Sequence, residues 1–153
     1  MKQYRFNKII FLISALIGLL PFAGCKEELD GGVEPIDFEL ISNSNSDAIE
    51  WSKKIPKDNE GAGEVYINAS AGGKITFETS VSPEIELSTE EAELIGCDTK
   101  VKEYSNDWMK MECKGRTVII EFLDNIELQN DEDKRLCVSA IESCTYVYIH
   151  RKK

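Results

Sequence analysis

The stretch "EVYINASAGGKITFETS", residues 64 to 80, decides the fold. In its first half Val65, Ile67 and Ala69 alternate with polar or bulky neighbours, and in its second half Ile75 and Phe77 do the same. A repeat of two places successive side chains on opposite faces of a strand, so each half reads as a strand with one apolar side. Gly72-Gly73 between them is a turn signal. Working outward, "EIELS" sets Ile85 and Leu87 on one side and "RTVIIEFL" sets Val118, Ile120 and Phe122. Breaks fall at Pro56 to Gly63, at Pro83, at Lys114-Gly115 and at Asp124 to Lys134. This spacing predicts an all-β domain of seven or eight short antiparallel strands, a sandwich or barrel. One helical turn is expected at "STEEAELI", with Ser88 or Thr89 as cap and acids in the first turn. "SNSNSD", residues 42 to 47, reads as a polar loop.

The N-terminal segment has a different character. Lys2, Arg5 and Lys8 precede an apolar run from Ile9 to Leu20, interrupted only by Ser14 and Gly18. The layout is that of a secretory signal, and the run is shorter than the roughly 20 residues a spanning helix needs. It ends in Pro21 and then in Ala23-Gly24-Cys25, which resembles the lipobox of bacterial lipoproteins. The resemblance implies a signal peptide over residues 1–24, a lipidated Cys25, a flexible tether over 25–34 and a domain over 35–153. An ordinary secreted protein or a short membrane anchor is the alternative. A lipid-bearing Cys25 makes the membrane a partner, since two or more acyl chains hold stably. Lys26-Glu27-Glu28 resembles the Lys-plus-acidic signals that send some lipoproteins to the outer face of the outer membrane. It is equally an ordinary polar tether, which leaves the periplasmic face open.

The leader carries three of the 18 basic residues and none of the 28 acidic ones, which leaves 15 against 28, a net −13, on the remaining 129 residues. Such a chain has no electrostatic attraction for nucleic acid. Four further cysteines, Cys97, Cys113, Cys137 and Cys144, would lie in an oxidising compartment, where an even set usually pairs. "RLCVSAIESCTYVYIH" reads as a hairpin turning near Ala140 and Ile141. That register sets Cys137 opposite Cys144, with Leu136, Val138, Val147 and Ile149 on one face and both cysteines with Tyr146 and Tyr148 on the other. Elimination then pairs Cys97 with Cys113. Zinc is the weaker reading, because the spacings are not C-x2-C pairs and there is one histidine.

Between residues 64 and 150 the order of features resembles the BACON domain, an Ig-like β-sandwich of bacterial surface lipoproteins and glycan-degrading proteins. The residues that carry the resemblance are "INASAGGKITFETS", Trp108-Met109, Gly115 before "TVIIEF", Asn125 or Asn130, Arg135 with "LCVSA", and the closing "YVYIH". The chain departs from that pattern in a longer insertion between 88 and 107, in its four cysteines and in His150 where Gln is usual. The resemblance implies a single Ig-like sandwich. For function it implies a non-catalytic module that binds carbohydrate or mucin, or else a spacer or structural subunit of a surface protein complex with no small ligand. Sugar recognition would use aromatics, for which the candidates are Trp51, Tyr66, Tyr104, Trp108, Tyr146 and Tyr148. Trp108 is expected in the core. Tyr146 and Tyr148, two residues apart and facing outward, form the preferred platform, with Trp51 as a further contact.

Enzyme chemistry has little to build on. The single histidine, His150, stands three residues from the end, and no H-E-x-x-H, G-x-S-x-G or phosphate-cradling loop is present. Paired carboxylates for glycoside hydrolysis remain as a minor alternative. Asp124, Asp131 and Asp133 would be the ligands of a calcium loop, but they lack the EF-hand order, so a solvated turn is expected. No cofactor and no metal is expected.

Overall fold

A computed structural model describes residues 33–57, 61–124 and 126–153. The leader 1–24, Cys25 and the tether up to Gly32 lie outside the described residues. The chain divides into two units, Met1–Gly31 and Gly32–Lys153, and all described residues belong to the second.

The elements in chain order are β1 (Phe38–Asn43), β2 (Ile49–Lys54), β3 (Gly63–Ala69), β4 (Gly73–Thr79), β5 (Glu84–Glu86), α1 (Thr89–Ile95), β6 (Lys100–Val101), β7 (Glu103–Ser105), β8 (Met109–Lys114), β9 (Thr117–Phe122), β10 (Glu132–Ala140) and β11 (Ser143–Arg151). They form a five-stranded sheet, β1-β4-β9-β8-β7, and a six-stranded sheet, β2-β3-β11-β10-β5-β6. The protein is an all-β sandwich. The described residues hold eleven strands against the seven or eight expected. β6 and β7 are two or three residues long, too short to show a period of two, whereas β5 is the strand expected at "EIELS". One pairing, β3 with β11, is parallel, in contrast to the antiparallel expectation.

The alternation read from sequence is the alternation observed. In β3, Val65, Ile67 and Ala69 are buried while Tyr66 is exposed; in β9, Val118, Ile120 and Phe122 are buried. These rows meet between the sheets. Phe38 and Phe77 stand edge to face at 5.6 Å, and Trp108, Met109 and Met111 fill the β8 side. Thr145 is fully buried without loss: its hydroxyl donates to the Ile36 carbonyl at 2.7 Å and accepts from the Ile36 N–H at 3.0 Å. The Gly72-Gly73 turn carries Gly73 at φ 146, where a Cβ would lie 2.9 Å from Asn45 Cβ and 3.0 Å from Ile49 Cδ1.

The expected helical turn is present. The Glu91 N–H donates to Ser88 Oγ while the Ser88 N–H donates to the Glu91 carboxylate, a reciprocal cap. Gly96, in the left-handed region at φ 66, closes the other end. An ion pair from Glu91 to Lys134 of β10 fastens the helix to the sheet.

The final hairpin requires a correction. Ala140 faces Ser143, so the turn is Ile141-Glu142, one residue beyond the expected centre. Cys137 consequently faces Tyr146, and Cys144 faces Ser139. The partners shift by two, which preserves the faces: Leu136, Val138, Val147 and Ile149 are buried, and both cysteines lie with Tyr146 and Tyr148 on the other side. The observed register sets Thr145 beside Val138, from where it reaches Ile36.

Candidate functional site

The outward face of the six-stranded sheet gathers most of the polar and aromatic residues singled out above. β3 and β11 run in parallel with Tyr66 opposite Tyr148, and β10 brings Arg135 opposite Tyr148 from the other side. Tyr66 and Tyr148 lie 5.1 Å apart with planes 12° from parallel, and Tyr146 follows at 6.4 Å from Tyr148. The second spacing is close to the roughly 7 Å that two residues along one strand imply. The first is an offset stack: rings this close and this parallel cover part of each other's faces. The three tyrosines therefore form a continuous strip of rings, exposed at Tyr66 and half-buried at Tyr146 and Tyr148.

Polar groups border the strip. The Tyr66 hydroxyl donates to Glu64 at 2.9 Å, and this bond raises the Tyr66 pKa. Lys54 stands 3.4 Å from the same carboxylate. His150 Nδ1 is 2.7 Å from Asp133, and its Nε2 is 3.8 Å from Asp131. The Arg135 guanidinium lies over the Tyr146 ring at 5.4 Å. Tyr66, Asn68, Asp133, Arg135, Tyr148 and His150 together line an open groove of about 430 Å³.

Trp51 is not part of this strip. Its ring packs edge-on against Phe77 at 5.0 Å and it is half-buried against the core, so it walls the sandwich and does not extend the platform. Tyr104 and Trp108 are buried as well, at 8% and 6% exposure. The acids proposed for calcium are separated in role. Asp131 and Asp133 flank His150, whereas Asp124 sits against the Gly72 turn. No group of three metal-ligating side chains occurs among the described residues.

All four cysteines of the domain are free thiols in the structure, so neither expected bridge is present. Cys137 and Cys144 are diagonal neighbours on the strip's face. Their mutual interaction raises the Cys137 thiol, with burial adding to it, and lowers Cys144. Tyr146 is raised in turn by the negative charge the pair can carry. Cys97 is exposed just past α1, while Cys113 is buried in β8 and pushed up to about 11 by desolvation.

Sequence reasoning leaves two contributors unplaced. Tyr66 was a candidate without a place, because nothing in the sequence announces that β3 lies beside β11. Arg135 was read only as part of a family motif. Its position one residue before the buried Leu136 of an alternating strand was the available signal.

No family model matches the chain, and no curated protein matches it. Among solved structures it is similar to an NMR structure of a protein from Bacteroides thetaiotaomicron, at 17% identity and a TM-score of 0.39, covering 70% of this chain and 88% of that one.

Proposed function

We propose that the protein is a lipid-anchored, non-catalytic binding module of the outer membrane, exposed at the cell surface, whose ligand is carbohydrate or mucin. The observation that carries the reading is the strip of Tyr66, Tyr148 and Tyr146, in which the Tyr148 ring neighbours each of the other two, on a sheet face bordered by Glu64, Asp133, Arg135 and His150. Sugars are recognised by apolar ring faces together with directed polar groups, and this face offers both. The Ala23-Gly24-Cys25 leader motif and the BACON-like order of features add to it.

The experiment is retention on a mucin and polysaccharide array. The wild type binds weakly, in the micromolar to millimolar range on the order expected for a few exposed contacts, and gains strength when displayed in many copies. The Tyr66→Ala/Tyr146→Ala/Tyr148→Ala protein loses retention while remaining folded. A wild type that ignores every glycan overturns the reading in favour of a spacer or structural subunit, and so does a triple variant that binds as before.

A further inference from the structure

Arg135 stands out in an acidic molecule because its charge is unspent. The lysines nearest the strip are engaged, Lys54 with Glu64 and Lys134 with Glu91, and the sheet's other arginine, Arg151, is buried with its guanidinium over Phe122. No carboxylate lies within ion-pair reach of Arg135 among the described residues, and its one recorded side-chain contact is the face of Tyr146. The acids that border the groove already have partners. Glu64 is held by Lys54 and the Tyr66 hydroxyl, and Asp133 by His150. Arg135 is itself exposed and lines the groove beside Tyr148. A guanidinium over a phenol keeps its charge and its planar fork of N–H donors, oriented at little entropic cost.

We infer that Arg135 is the specificity residue of this face and that the preferred ligands are acidic glycans whose sugar carboxylate pairs with its guanidinium while the ring lies against the tyrosine strip. The inference rests on the binding reading above and adds the class of sugar. A planar fork matches a carboxylate through two parallel hydrogen bonds, which an ammonium cannot reproduce. The preference therefore depends on geometry as well as on charge.

The test compares polygalacturonate with its methyl ester, which share a backbone and differ in the free carboxylate, and includes dextran sulfate as an anionic polysaccharide without carboxylates. The wild type retains polygalacturonate roughly ten-fold more tightly than the ester, as expected for a charge-assisted bidentate contact. Arg135→Gln removes the preference, Arg135→Lys restores only part of it, and the circular dichroism spectra of both variants match that of the wild type. Equal retention of acid and ester by the wild type, or an unchanged preference in Arg135→Gln, overturns the assignment and leaves a neutral-glycan module standing. Dextran sulfate retained as tightly as polygalacturonate, with Arg135→Lys fully active, reduces the effect to net charge and overturns the carboxylate assignment. A wild type that retains none of the three polymers but is held on the mucin and polysaccharide array overturns this inference alone, whereas one that ignores the array as well overturns the binding reading and this inference with it.

Discussion

Thr145 shows how much one side chain settles at the residue scale. Its hydroxyl serves both backbone groups of Ile36 in a fully buried position. Thr145→Val keeps the volume but strands a buried donor and acceptor, and is expected to cost about 1–3 kcal/mol in chemical denaturation. Gly73→Ala is expected to cost a similar amount, about 1–3 kcal/mol, because φ 146 and two contacts near 3 Å disfavour a Cβ together. Thiol reactivity separates two further residues. Cys97 is exposed and should react with maleimide in the native protein, whereas Cys113, buried and raised to about 11, should react only on unfolding. Joint protection of both would instead show the Cys97–Cys113 bridge. Burial was legible at this scale wherever a residue sat in an alternating run, as at Ile67 and Phe122. It was not legible at Thr145, whose polarity hides its place in the core, nor at Trp51, whose ring faces Phe77 through a fold the sequence does not display.

The hairpin of β10 and β11 shows what the period of two can and cannot specify at the element scale. Alternation separates the faces, and the faces were read correctly. The turn centre depends on local chemistry, and "SAIES" contains no Gly or Asn to mark it. A shift of two in pairing leaves every face intact and moves only the partners, so the expected opposition of Cys137 and Cys144 became a diagonal. The diagonal still sets the two thiols side by side on one face of the hairpin. In an oxidising compartment we expect them to join, and peptide mapping without reductant should recover residues 137 and 144 in one linked pair. Recovery of both as free thiols from exported protein would contradict this. The capping of α1 was legible from "STEE" alone, and Ser88→Ala should cost about 1 kcal/mol by removing one half of the reciprocal pair.

For the whole molecule, the sandwich places the proposed recognition face where two distant segments meet. β3 and β11 are separated by most of the domain, and their parallel pairing creates the Tyr66–Tyr148 stack. No local signal in the sequence encodes that adjacency, which explains why the tyrosine strip is expected on one strand and lies across two. Anchoring belongs to this scale too: Cys25→Ser should stop acylation and release the protein from the membrane fraction, as followed by a fatty-acid label, and label persisting on the variant would contradict the lipoprotein reading. The central claim, that the tyrosine strip is the ligand-binding surface, is tested most directly by titrating a glycan retained on the array into the isolated domain and following the aromatic and backbone NMR signals. The account predicts shifts concentrated on Tyr66, Tyr146, Tyr148 and Arg135, with the five-stranded sheet unmoved. Shifts confined to the five-stranded sheet or to α1 would contradict it.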